Sequence, residues 1–119
     1  MTAAPLVSVL LPIYNAGPYL AAALESILRQ DYRRLEVIAI DDGSSDNSLE
    51  ILERYRQADS RVSIISRENR GLVATLNEGL AVTRGELVAR MDADDIAYPW
   101  RLSRQVALFE QRPDRKSVV

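Results

Sequence analysis

A chain of 119 residues with a formal net charge of -2 and 27% charged residues can bury one core. Its interspersed acids and bases leave no broad basic face for nucleic acid and no polybasic membrane-binding stretch. With no cysteine and no histidine, disulfides, thiolate or imidazole zinc sites, a cysteine nucleophile and Ser-His-Asp chemistry are excluded, so any chemistry here runs on carboxylates, hydroxyls, amides and arginines.

The start, Met1-Thr2-Ala3-Ala4-Pro5, places no basic region before the short apolar run Val7 to Ile13. No run approaches the roughly 20 apolar residues of a membrane span, and a cytoplasmic location is expected. Val7 to Ile13 reads as the first strand, and Pro18 suits the first turn of a helix whose Leu20, Ala23, Leu24, Ile27 and Leu28 share one face. Leu35 to Ile40 reads as the second strand. The polar stretch Gly43 to Ser48 follows, in which Asn47 and Glu50 have capping-box spacing ahead of Leu49, Leu52 and Tyr55. Val62 to Ile65 is the third strand, and Leu72, Leu76 and Leu80 are the expected buried face of the third helix. Glu86 to Met91 is the fourth strand, and Pro99 suits the first turn of a helix carrying Leu102, Val106 and Phe109.

Two of these strands lack a polar alternate face, as strands buried on both faces of a parallel sheet do. Strand and helix repeated four times imply βαβ units with right-handed crossovers. The expected fold is therefore α/β, a doubly wound, mostly parallel sheet with helices on both faces. No long linker, repeat or low-complexity tract marks an internal boundary. Ligands of such sheets bind beyond the carboxyl ends of the strands, so chemistry is sought there.

After the first strand, Pro12-Ile13-Tyr14-Asn15 presents a ring and an amide suited to stacking on and hydrogen-bonding a base. The same residues also read as an ordinary Asn-Ala-Gly-Pro turn. After the second stand Asp41 and Asp42. Carboxylates at a buried strand end are costly unless paired or used, which suits acceptance from a base N–H or a ribose hydroxyl, or equally a capping acid beside a turn glycine. After the fourth comes Asp92-Ala93-Asp94-Asp95, whose carboxylates repel one another without a cation. Mg2+ and Mn2+ prefer such oxygens and complete their shells with water and substrate phosphates, which points to a diphosphate ligand; the plainer reading is a solvated turn.

These segments run in a particular order: Val7 to Asn15, Ser26 to Gln30, Glu36 to Ser48, Asn69 to Leu72 with Asn77 and Gly79, and Gly85 to Asp95, continuing to Pro99, Arg101, Leu102 and Gln105. On them the chain resembles the N-terminal, nucleotide-sugar-binding portion of a family 2 glycosyltransferase of the bacterial surface-polysaccharide kind. The resemblance implies a truncated, Rossmann-like GT-A fold over residues 1–119, with the acceptor-binding portion absent. It implies an inverting, metal-dependent transfer of a sugar from a nucleotide-diphosphate donor, a UDP-sugar, to an acceptor hydroxyl in polysaccharide biosynthesis. Pro12, Tyr14, Asn15, Asp41, Asp42, Asn77 and Asp92 would form the nucleotide-sugar site, with Tyr14 against the base, Asp42 accepting from the ring and Asp41 supporting its turn. Asp94 with Asp92 would hold Mn2+ or Mg2+, and Asp95 would cap the next helix.

The same resemblance puts the general base beyond Val119, so no catalytic residue is assigned here and the isolated chain is expected to transfer poorly. The partners implied are a nucleotide-diphosphate sugar and, through the missing half, a saccharide or lipid-linked acceptor, with no nucleic acid. A full-length parent would sit at the inner face of the membrane, and an exposed sheet edge or apolar face would favour a homodimer. Leu76 stands where many relatives carry a basic residue, which removes a phosphate or sugar contact. Arg101 and Gln105 carry no assigned role.

Three other classes fit less well. A phosphoacceptor signalling domain needs an acidic pair after the first strand and a late lysine in the sheet, whereas Tyr14-Asn15 end that strand and Lys116 is the only lysine. A nucleotidyltransferase would show a glycine-rich phosphate loop near its start. A non-catalytic nucleotide-sugar-binding module would bind donor and metal without turning the donor over.

Overall fold

The computed structural model describes residues 4–111 and 117–118. Along them strand and helix alternate: β1 Val7–Ile13, α1 Gly17–Leu28, β2 Leu35–Asp42, α2 Ser48–Ala58, β3 Val62–Arg67, α3 Leu72–Ala81, β4 Leu87–Arg90, α4 Arg101–Glu110 and β5 Ser117–Val118. All pairings are parallel, in the order β3-β2-β1-β4-β5. β1 is central: its registers run from Val7 opposite Leu35 to Ile13 opposite Asp41 on one side, and from Val7 opposite Leu87 to Leu10 opposite Arg90 on the other. The strand order reverses between β1 and β4, where the carboxyl ends of an open parallel sheet leave a crevice.

Side chains alternate across the strands, so two cores form. Val7, Val9, Leu11 and Ile13 of β1 pack with Leu20, Leu24 and Ile27 of α1, Leu52 of α2, and Leu102 and Val106 of α4. The opposite face is thinner: Leu10, Ile38, Ile40 and Val88 cluster with Ile65 beneath α3. A Cβ on Gly79 would stand 2.9 Å from side-chain atoms of both Ile40 and Leu10, so the missing side chain is what lets α3 lie this close to the sheet.

That approach corrects the expected face of α3. Thr75 and Gly79 are buried, while Leu72 and Leu80 are exposed. The Thr75 hydroxyl can be buried because it donates to Gly71 O at 2.8 Å and accepts from Arg67 Nη2 at 2.9 Å. The expected capping box is corrected too. Asn47 occupies the N-cap of α2, but its side chain makes no capping bond. Asp46 does the work, its Oδ1 accepting from the Ser48 N–H at 3.0 Å and the Ser48 hydroxyl at 2.6 Å, and its Oδ2 from the Gly17 N–H at 2.9 Å at the start of α1. One carboxylate thus serves two helix N-termini, the positive ends of both dipoles. Pro18 sits in the first turn of α1, whereas Pro99 precedes Trp100, the N-cap of α4.

At the amino edge of the sheet a buried polar group fixes the entry of β4. Glu36 accepts from the Ser8 hydroxyl at 2.6 Å and from the Arg84 N–H at 2.8 Å, while Ser8 Oγ accepts from the Gly85 N–H at 2.8 Å. Burial alone would raise the Glu36 carboxyl; the bonds from Ser8 and Arg84 outweigh it and hold its pKa below the ordinary value. Among the described residues no helix is long and apolar enough to cross a membrane.

Candidate functional site

A crevice of about 600 Å3 opens at the carboxyl edge, where the ends of β1, β2 and β4 meet the loop before α3. It brings together Pro12, Tyr14, Asn15, Asp42, Asp92 and Asp94. Asp41 and Asn77 are not part of its lining. Asp41 is buried and its Oδ1 accepts from the Ser44 N–H at 3.1 Å, which supports the turn after β2. Asn77 is exposed on α3.

The walls are held by bonds that the sequence did not announce. Asn15 has φ of 51°, a left-handed conformation that asparagine tolerates better than most residues. Its Oδ1 accepts from the Ser45 N–H at 2.8 Å and lies 3.3 Å from Ser45 Oγ, while its own N–H donates to Ser44 Oγ at 2.9 Å. The amide expected to meet a base therefore uses its oxygen to tie the loop after β1 to the loop after β2. Tyr14, 58% exposed, is left with its ring open to the crevice.

Asp42 is engaged as well. One oxygen accepts from the Arg70 N–H at 2.8 Å and pairs with the Arg67 guanidinium, and the other accepts from the Gly71 N–H at 3.1 Å. Burial would raise its pKa, but the Arg70 N–H, the Arg67 bond and charge, and the Gly71 N–H hold it below the usual aspartate value. Gly71 has φ of 89°, so the turn that presents these N–H groups requires glycine. Each carboxylate oxygen has two acceptor positions, and Oδ2 with its one described bond keeps another for a ligand.

Arg67 is engaged through all three nitrogens: Nε donates to Glu78, Nη2 donates to Thr75 and lies 2.7 Å from Glu78 Oε1, and Nη1 donates to Asp42 and the Glu68 carbonyl. The resemblance puts it at the start of a segment, Arg67 to Asn77, expected to run along the nucleotide, with no role of its own. Its signal was the polar residue at the end of β3, in register with Asp42.

Across the crevice the turn after β4 carries Asp92, Asp94 and Asp95, all exposed, with one oxygen from each lying within 4.8 Å of the others. Arg90 Nη2 stands 3.4 Å from Asp92 Oδ1. Three hard oxygen donors on one exposed turn fit Mg2+ or Mn2+, leaving most of an octahedral shell for water and phosphate. Asp95 belongs to this cluster and not to the cap of α4, where no side chain makes a capping bond.

Comparison with known proteins places this geometry. Residues 8–116 match the family model described as glycosyl transferase family 2. GlyG, a glycosyltransferase of Streptococcus pneumoniae serotype 4, is 46% identical over 92 residues, which are 76% of this chain and 31% of that protein. The fold aligns with S. aureus TarS in complex with UDP-GlcNAc at a TM-score of 0.81 and 30% identity, covering 88% of this chain and 31% of that one. It aligns with the Pyrobaculum calidifontis mannosyltransferase PcManGT, in complex with GDP-Man and Mn2+, at 0.78 and 31% identity, covering 90% and 32%. The chain thus spans about a third of the length of each. With a family match over nearly its whole length, and with this parallel sheet and its carboxyl-edge crevice, the chain belongs to glycosyltransferase family 2.

Proposed function

We propose that this chain provides the donor site of an inverting, metal-dependent glycosyltransferase that moves a sugar from a UDP-sugar to an acceptor hydroxyl. The observation that carries the reading is the crevice itself, which sets an open aromatic ring and a buried carboxylate on one side against an acidic turn on the other. Tyr14 would stack on the base and Asp42 Oδ2 would accept from its ring N–H. The backbone turn at Arg70 and Gly71 would bring the main chain close to the nucleotide. Asp92 and Asp94, joined by Asp95, would hold Mn2+ or Mg2+ beside the diphosphate. When bound, a cation there would neutralise charge developing on the departing nucleoside diphosphate. TarS is solved with UDP-GlcNAc and PcManGT with GDP-Man and Mn2+, which supports a nucleotide-sugar donor and a divalent cation here.

The acceptor and the general base belong, in this reading, to a further portion corresponding to the rest of the relatives' length, and the whole enzyme works at the cytoplasmic side of the membrane. Calorimetric titration of UDP with and without Mn2+, with ADP as the base control, tests the donor site. Selective UDP binding that strengthens with Mn2+, the metal effect vanishing in Asp94→Ala, is the expected result. An unchanged metal effect in folded Asp94→Ala, or equal affinity for ADP, would overturn the assignment.

A further inference from the structure

Between the acidic turn and α4 runs an irregular stretch, residues 95–100, which has no ladder or helix of its own. Nor does apolar burial of its larger side chains hold it, since Ile96, Tyr98 and Trp100 are all exposed. It is held instead by the end of α1. Gln30 is only 1% exposed, and its Nε2 donates to the Ser26 carbonyl at 3.0 Å and the Tyr98 carbonyl at 2.7 Å, while its Oε1 accepts from the Leu102 N–H at 3.1 Å. Ser26 Oγ accepts from the Ala97 N–H at 3.0 Å and donates to the Ala23 carbonyl at 2.7 Å. The Asp31 N–H donates to the Pro99 carbonyl at 2.9 Å.

The chemistry of these contacts is specific. Two carbonyls and one N–H converge on one buried group, and only a neutral amide supplies two donors and an acceptor at once. Reversing that amide would set oxygen against two carbonyl oxygens, so a single orientation satisfies all three partners. Buried polar side chains with every partner in place fix geometry, and the turn that carries Asp92, Asp94 and Asp95 leads directly into the segment they fix.

We infer that Gln30, assisted by Ser26, is a positioning residue for the cation-holding turn, an inference that rests on the reading of that turn given above. Gln30 anchors Tyr98 and Leu102, and Ser26 anchors Ala97, from the carboxyl end of α1, and neither residue lines the crevice, so that the carboxylates return to one arrangement when donor and cation arrive. The role is separable from general support of the fold because the same sheet carries the base-side wall, Tyr14 and Asp42, which Gln30 does not touch.

The test titrates UDP, with and without Mn2+, into the parent chain and into Gln30→Met, Gln30→Glu and Ser26→Ala, alongside hydrogen exchange of the Ala97 and Leu102 amides. Gln30→Met keeps the volume and loses all three bonds; it is expected to lower the Mn2+-dependent gain in UDP affinity by about 10–100-fold, the range for groups that orient metal ligands, while metal-free affinity stays as in the parent. Faster exchange at Ala97 and Leu102, with β1 and β2 still protected, should accompany it. Gln30→Glu, which cannot donate to the carbonyls, should behave like Gln30→Met, and Ser26→Ala, the milder variant should Gln30→Met not fold, should move the gain in the same direction. Metal-free and metal-dependent affinity falling together would reduce Gln30 to a structural role and overturn the inference. An unchanged gain despite released amides would overturn it equally. A parent chain whose UDP affinity ignores Mn2+ would sink the reading of the acidic turn itself, a failure seen before any substitution is made.

Discussion

Arg67 and Asp42 form an ion pair across the ends of β3 and β2, their side chains 10% and 8% exposed. Removing one partner of such a pair leaves the other charge buried without compensation, at a cost of about 3–5 kcal/mol. Arg67→Met should therefore cost on that order in urea unfolding and should also weaken UDP, since the Gly71 turn rests on Asp42. Arg67→Lys should recover little, because an ammonium cannot reproduce the five-donor fork. Recovery of parent stability by lysine would show that charge alone matters here.

Stability should fall on acidification through a small set of carboxylates. Asp46 is held below the ordinary aspartate pKa by the Ser48 hydroxyl and the Gly17 N–H, and Asp42 and Glu36 are depressed despite their burial. A depressed folded-state pKa gives stability that is complete above the unfolded value and lost as pH falls through the folded one. The urea midpoint should accordingly be flat near neutrality and decline below about pH 4. Asp46→Ala should lower the midpoint at pH 7 and flatten the acid slope, while Asp46→Asn, which keeps an acceptor, should retain part of the stability. An unaltered slope in Asp46→Ala would show that the two helix starts do not depend on its charge.

Two glycines should answer differently to alanine. A Cβ at Gly85 would stand 2.5 Å from Ser8 Oγ, 2.6 Å from the Leu6 carbonyl and 2.7 Å from the Ser8 N. Two of these are backbone atoms at the edge of the central strand and cannot yield, so Gly85→Ala should cost at least about 1–3 kcal/mol, as overpacking does. At Gly79 the obstacles are the far ends of Ile40 and Leu10, and alanine gains about 1 kcal/mol of helix propensity. Gly79→Ala should therefore cost clearly less than Gly85→Ala by thermal unfolding, since side-chain ends can shift and propensity offsets part of the loss; equal losses at the two sites would contradict this account.

Asn15→Gly and Asn15→Ala separate backbone strain from side-chain bonding. Both lose the bond to Ser45 and keep φ of 51°, but only alanine is strained there, by about 1 kcal/mol or more. Alanine should thus be the less stable of the two. The reverse order would mean that the left-handed conformation is not what asparagine is there to support.

The strands were legible because a parallel sheet buried on both faces leaves continuous apolar runs, and the run Val7 to Ile13 coincides with β1. β2 and β3 extend further, to Asp42 and Arg67, because the backbone ladder continues past the last apolar residue when polar ends pair with each other. The face of α3 was misread for a reason that periodicity cannot show: a glycine and a threonine bury better than three leucines where a helix must approach the sheet closely. Tyr14 and the acidic turn could be placed from their positions at strand ends. The engagement of Asn15 and Asp42 could not, since their partners Ser45, Arg67 and Arg70 meet them only once three separate loops converge.

The reversal of strand order between β1 and β4 also bears on how the molecule is assembled in time. β1, β2 and β3 pair with neighbours in sequence, but Val7 must find Leu87 across everything in between, so the docking of β4 closes the longest loop among these pairings and carries its entropy. The acidic turn exists in its folded position only after that event. Occupancy of the turn by a cation would stabilise the fully zipped sheet over any species that lacks β4, by mass action, and would make such an ion a sensor of completed folding.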